Sequence, residues 1–234
     1  MFKLARMLLV WISRIIRTFK PIEHYEELGL SYEEYKKLQT ERYQSFESSV
    51  EKWRVGQERY IRKAFESIDR DKRILDIACG DGVGLRYFRE LGFKEVVGVE
   101  LSKQKANMAR NHGYRVIEYD MNKLSEYAHE LREFDIIYSS HTLEHCFYPL
   151  KVLEMFKQFL RRDGRLLIVL PYPDMSMLND RAHGGKYELG THIDDSGDTL
   201  VRRLEALGYE VVSKEFDQFR EPEIWLELRP LSES

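Results

Sequence analysis

From Arg73 onward, short apolar runs alternate with stretches of helical periodicity, and this alternation leaves the chain few ways to fold. The runs are Arg73–Ala78, "KEVVGVEL", "YRVIEYD", "FDIIYSS" and "GRLLIVLP". Between and after them, Gly84–Leu91, Ser102–Asn111, Lys123–Leu131, Pro149–Leu160 and Gly197–Leu207 read as helices. Gly92, Gly113 and Gly208 close three of these, as residues that accept a left-handed C-terminal conformation. Strands separated by helices of this length lie parallel, joined by right-handed crossovers, with helices on both faces. The final runs, "YEVVSKEF" and "PEIWLELRP", have only a few residues between them, so at least one must pair antiparallel. The expected fold is therefore α/β: a seven-stranded, mostly parallel sheet with an antiparallel last strand, in three α/β/α layers, preceded by extra helices.

The stretch "ILDIACGDGVG" (Ile74–Gly84) is the prime candidate for a binding turn. In an open α/β sheet, ligands lie beyond the carboxyl ends of the strands, and the first strand ends at Ala78. Gly80 and Gly82 let the backbone turn sharply and let a ligand rest against it. A dinucleotide turn would read G-x-G-x-x-G, but Leu85 stands at the third glycine position. Asp76 and Asp81 would also repel a pyrophosphate. The turn suits a nucleoside that carries positive charge and no phosphate. Glu100 ends the second strand 20 residues after Gly80, where a carboxylate can accept from both ribose hydroxyls. Asp120 ends the third strand and can accept from an exocyclic adenine amine. Met121 would pack on one face of the ring and Leu101 on the other.

"ILDIACGDG", "VVGVEL", "VIEYDM" and "FDIIYSSHTLEH" together resemble the class I S-adenosylmethionine-dependent methyltransferases. The nearest group is the type 11 family, which includes ubiquinone and menaquinone methyltransferases and many glycan- and antibiotic-modifying enzymes. The resemblance covers about Arg73 to Leu170 and implies a Rossmann-like sheet with S-adenosyl-L-methionine as cofactor. It places Asp76, Ala78, Gly80 and Gly82 along the methionine and ribose, and Glu100 on the ribose hydroxyls. Asp120 and Met121 would flank the adenine, with Ser139 and His141 near the sulfonium. The implied reaction is an in-line displacement at the methyl carbon, in which the protein mainly aligns the reacting atoms. A general base is needed only where the acceptor still holds its proton.

Two stretches offer that base. "SSHTLEHC" carries His141, Glu144 and His145 just past the fourth strand. It matches an inverted zinc-protease signature, but that signature needs one helix running through both histidines. Quinone O-methyltransferases have Glu-x-x-Glu-His here, so a metal held by His141, Glu144 and His145 is an alternative. The preferred reading assigns no metal: His145 packs against the sheet and His141 meets the substrate. The second stretch, after the fifth strand, holds His183, Lys186, Tyr187, His192, Asp194 and Asp195. His192, paired with Asp194 or Asp195, is its first choice of base. The competing reading makes Asp195 and Ser196 helix caps and His192 a packing residue. This loop is polar, so a hydrophilic acceptor and O-methylation are expected: a small molecule, a glycan or a lipid-linked intermediate.

Charge divides the chain. Its net charge is −3, yet residues 1–20 hold five cations and no acid, so the remainder carries −8. At about 100° per residue, those cations fall within an arc of about 120°, opposite a wide Leu/Ile/Trp face. This suits a helix in a membrane interface, against a partner protein or on the chain's own core. The run between charges is too short to span a bilayer, and no small-residue cleavage site follows it. The expected division is an amphipathic helix at 1–20, a helical lid or packing region at 21–70 and the cofactor-binding domain at 71–234. There is no overall basic footprint for nucleic acid. Two cysteines without CxxC spacing fit a reducing cytoplasm, at the inner membrane face if the arm binds lipid. A cofactor-binding scaffold without catalysis and a nicotinamide-dependent oxidoreductase are the alternatives.

Overall fold

The computed structural model describes residues 29–44, 51–127, 131, 133–176 and 181–231; the basic arm lies outside them. Two helices come first, α1 (Tyr32–Gln44) and α2 (Glu51–Phe65). Then follow β1 (Ile74–Ile77), α3 (Val83–Glu90), β2 (Val96–Glu100), α4 (Lys103–Asn111), β3 (Arg115–Glu118) and β4 (Phe134–Ser140). The remainder is α5 (Pro149–Phe156), β5 (Leu160–Pro171), α6 (Gly185–Leu189), α7 (Asp198–Ala206), β6 (Tyr209–Asp217) and β7 (Glu223–Pro230).

The strands form one seven-stranded sheet in the order β3-β2-β1-β4-β5-β7-β6. Pairs from β3 through β5 are parallel, while β7 runs antiparallel to both β5 and β6. Strand order reverses between β1 and β4, so the crevice beyond their carboxyl ends is the natural binding place. Every residue of β1 and β4 is buried, as expected for strands covered on both faces.

Alternation along these strands feeds two cores. Leu75, Ile77 and Ile137 point to the face packed by Val152, Leu153 and Phe156 of α5. Ile74, Ile136 and Tyr138 point to the opposite face, against Tyr60, Ile61 and Phe65 of α2 and Phe88 of α3. Helix α2 is thus part of a core layer, since Ile61 and Phe65 are wholly buried. Helix α1 docks more locally, with Tyr35 packed at a tilt against Phe147 beside Leu30.

Three segments depart from the periodic expectation. The helix from Pro149 stops at Phe156, because the chain must turn for Leu160 to pair with Phe134 at the start of β5. The segment expected to be a helix from Lys123 is a 3₁₀ turn over Met121–Tyr127, interrupted at Lys123, where φ is −122°. The long connection after β5 contains helix α6, which the composition did not suggest.

Candidate active site

A cavity of about 580 Å³ opens at the order reversal of the sheet. Its walls are built by the ends of β1, β2 and β4, the turns that follow them, and the loop after β5. Two strand-end residues there have left-handed backbones without being glycine: Ala78 at φ +56° and His141 at φ +50°. Such conformations cost about 1–3 kcal/mol each and persist where the surroundings hold them, typically at ligand sites.

The half beneath β1 and β2 is formed by main chain and one acid. Gly80 has φ +59°, and a Cβ built there meets nothing within 4 Å. The position therefore presents bare backbone to the cavity. Glu100 accepts from the Gly80 amide at 2.9 Å with one oxygen and from the Ser102 amide at 2.8 Å with the other. Burial raises its pKa, which the Ser102 and Gly80 amides partly offset. Each oxygen keeps lone-pair capacity for a diol. Leu101 and Met121 line the same half and supply apolar surface for a flat ring. This donor and acceptor set fits an adenosine, with Glu100 on the ribose.

The other half is acidic and rich in imidazole. His141, Glu144, His145, Asp174 and His183 line it, with Arg220 and Glu221 at one side. Glu144 is wholly buried, and neither of its oxygens has a hydrogen-bond partner beyond its own backbone amide. Burial raises its pKa well above the usual carboxylate value. His141 Nδ1 lies 3.6 Å from Glu144, and His145 Nε2 lies 3.7 Å from it. His145 is pushed down to about 3 by burial and by the neighbouring His183, so it is neutral. Its Nδ1 lies 2.7 Å from the Ala182 carbonyl, to which it donates.

Near the rim, His141, Glu221 and Glu223 bring ligating atoms within 4.8 Å of one another. The Arg220 guanidinium sits among them, 3.0 Å from His141 Nε2, 3.2 Å from Glu223 and in contact with Glu221. A cation already neutralises this cluster. Burial works against ionising Glu223, yet its hydrogen bond with His141 holds its pKa below the usual value, and Arg220 adds to this. Residues 143–145 form a single 3₁₀ turn, which cannot present two histidines along one helix.

Of the residues expected at the site, Ala78, Gly80, Glu100, Leu101, Met121 and His141 line the cavity. Six others do not. Asp76 shares the α3-facing side of β1, and its Oδ2 lies 2.5 Å from where a Cβ on Gly84 would stand. Burial, and then the Glu100 charge, raises its pKa well above normal. Gly82, at φ +94°, faces Tyr114 and Ala109 instead. Asp120 is engaged elsewhere: one oxygen accepts from Tyr32 Oη at 2.6 Å and the other from the amide and side chain of Asn122. Ser139 is wholly buried within β4, and the next residue, Ser140, faces the cavity.

His192 and Asp194, expected as the base pair, are not among the residues that line the cavity. The His192 ring packs 5.0 Å from Tyr187, with Nδ1 3.2 Å from the Lys186 carbonyl, and Asp194 is exposed. Asp195 caps α7, accepting from the amide and hydroxyl of Thr199 at 2.9 and 2.6 Å. His145, expected against the sheet, instead lines the cavity in edge contact with His183. The loop's titratable contribution is Asp174 and His183. His183 stood among the candidates of that stretch, and Asp174 had only the polarity of the loop to signal it.

A family model described as "Methyltransferase domain" matches residues 46–214. A ubiquinone biosynthesis O-methyltransferase of Nitrosococcus oceani is 35% identical over 99 residues, 41% of this chain and 42% of that protein. Phosphoethanolamine N-methyltransferase 3 of Arabidopsis thaliana is 27% identical over 116 residues, 45% of this chain and 24% of that protein. The match thus spans less than half the length of these curated relatives. The magnesium protoporphyrin IX methyltransferase of Synechocystis PCC 6803, solved with S-adenosylmethionine bound, superposes with a TM-score of 0.58 at 13% identity, over 84% of this chain and 97% of that one. That likeness is one of fold. The sheet order, the glycine turn with Glu100 opposite it, and a family match over most of the chain agree, and the chain belongs to the methyltransferase-domain family, among the class I S-adenosylmethionine-dependent methyltransferases.

Proposed function

We propose that this chain transfers a methyl group from S-adenosylmethionine to a hydroxyl of a small-molecule, glycan or lipid-linked acceptor. One observation carries the reading. A single cavity joins a backbone-and-carboxylate half, suited to adenosine, to a half crowded with proton-accepting side chains. The cofactor supplies an electrophilic methyl on a sulfonium leaving group. The chain's residues hold it: Glu100 takes the ribose hydroxyls, Ala78 and Gly80 offer main chain, and Leu101 and Met121 enclose the adenine. His141 stands where the acceptor meets the methyl group. The relatives are named for O- and N-methyl transfer. The second half favours the former, because a hydroxyl needs its proton removed and this half supplies imidazoles to take it.

Calorimetry with S-adenosylhomocysteine tests the reading. Wild type should bind, and Glu100→Gln should lose about tenfold to a hundredfold in affinity by giving up charge-assisted hydrogen bonds. No binding by wild type at high micromolar concentration would sink it. The arm at 1–20 is proposed to hold the enzyme at an anionic membrane surface. Among the described residues no helix is long and apolar enough to cross a membrane. In the arm itself the apolar run between charges is too short to span a bilayer, so attachment through it would be peripheral. Co-sedimentation with phosphatidylserine vesicles should fall on deleting residues 1–20 and fall with added salt. Retention equal to wild type would remove the membrane from the proposal.

A further inference from the structure

We infer that His183, oriented by Asp174, is the general base that deprotonates a hydroxyl acceptor in this cavity. The assignment rests on the methyltransferase reading and adds the proton's destination to it. Both residues line the cavity, although 9 positions separate them in a loop with little periodicity.

The geometry is that of an oriented imidazole. His183 Nδ1 lies 3.0 Å from Asp174 Oδ2. A carboxylate only accepts, so Nδ1 carries the hydrogen and Nε2, on the far side of the ring, keeps a lone pair. The His183 side chain is 19% exposed, whereas the Asp174 side chain is 2% exposed. The acid is almost wholly buried at the cavity wall, while the imidazole keeps some exposure. Burial works against ionising Asp174, but the His183 hydrogen bond and the Lys186 charge hold its pKa far below normal. Lys186 is itself buried, 3.8 Å from Asp174 and bonded to the Ser176 carbonyl at 2.7 Å. Asp174 therefore stays an anion in a fixed place and orients the ring throughout turnover.

The other imidazoles suit the task less well. His145 is half-buried, with Nδ1 given to the Ala182 carbonyl, and its pKa, pushed down to about 3 by burial and by His183, makes it a weak base. His141 Nε2 bonds the Glu223 carboxylate, which leaves the lone pair on Nδ1, and the Arg220 guanidinium lies 3.4 Å from that nitrogen. In the step itself, the acceptor O–H gives its proton to His183 Nε2. The oxygen forms a bond to the methyl carbon while the carbon–sulfur bond breaks, its electron pair staying on sulfur. Imidazolium then releases the proton to solvent, leaving a methyl ether and S-adenosylhomocysteine. Glu144, beside His145, offers its orphaned oxygens to the acceptor's remaining donors.

The test uses the full chain with S-adenosylhomocysteine or S-adenosylmethionine. Diethyl pyrocarbonate acylates an unprotonated imidazole nitrogen that it can reach. Peptide mass spectrometry of the S-adenosylhomocysteine complex should find His183 carbethoxylated, and an unmodified His183 would overturn the assignment. Turnover is then measured with catechol and methyl glucopyranoside as hydroxyl probes and phosphoethanolamine as an amine probe. His183→Asn should bind S-adenosylhomocysteine like wild type yet lose about 100-fold or more in kcat on the hydroxyl probe that wild type accepts. The rising limb of its pH profile should vanish, and added imidazole should restore part of the rate to His183→Ala. The groups facing that titration are Asp174 and His145, with Lys186 and Glu144 behind them. Asp174→Asn should lower kcat more than it alters KM, because an amide permits the wrong tautomer. Retention of rate by His183→Asn within about threefold, or turnover of phosphoethanolamine alone, would overturn the proposal. So would a wild type that binds S-adenosylhomocysteine and methylates none of the probes. A wild type that does not bind it would instead remove the methyltransferase reading beneath the proposal.

Discussion

Glu144 is the residue whose energetics conflict most with its position. A buried carboxyl with no partner outside its own backbone favours its protonated form in the fold. Below the ordinary value of 4.5 both states hold the proton and nothing is lost. As pH climbs from there toward the raised folded value, the unfolded chain ionises first and stability declines. Glu144→Gln removes that decline. Its gain in chemical denaturation should be near zero at pH 4 and reach about 1–3 kcal/mol at neutral pH, with slower methyl transfer. Gly98 is a second sharp case. A Cβ there would stand 2.5 Å from Cys79 Sγ and 3.1 Å from Leu85, so Gly98→Ala should cost about 1–3 kcal/mol by urea unfolding. At this scale the sequence was partly readable. Glu100 was legible because an acid ends a strand facing glycines. Asp76 was not, since its strand alternates it onto the α3 face. Ser139 missed by one residue for the same reason. The engagement of Asp120 by Tyr32, 88 positions away, was invisible in the local sequence.

Helices and strands were recovered where one periodicity ruled, and lost where contacts from elsewhere intervened. Helix α4 begins at its expected cap, Ser102, which accepts from the Lys105 amide. Helix α5 ends early because strand pairing at Phe134 claims Leu160, a constraint invisible to local periodicity. Helix α7 depends on Asp195, which serves the amide and hydroxyl of Thr199 and also accepts from Tyr172 Oη at 2.8 Å. Asp195→Ala should therefore cost about 1–2 kcal/mol in thermal or urea melts while leaving cofactor affinity unchanged. A fall in affinity without a fall in stability would return this residue to the site.

For the molecule as a whole, the layered sheet followed from the alternation of runs, and the antiparallel end from the short link before the last strand. In the acceptor half, Asp174, Arg220 and Glu221 were not legible, since they join the histidines only when the loop after β5 and the last hairpin converge. Because the cavity exists only in the fold, ligand should stabilise the whole: S-adenosylhomocysteine at about 100 times its Kd should add about 2.7 kcal/mol, seen as a rise in Tm. An unchanged Tm at saturation would contradict binding to the native state. The placement of β7 between β5 and β6 also bears on biosynthesis. Of the seven strands, β7 comes after the two neighbours between which it inserts. Until it slots in, β5 has an open flank and Arg220, Glu221 and Glu223 are missing from the rim. A nascent chain can thus assemble the nucleoside half early, but it cannot become competent for acceptor until β7 has been made and has inserted.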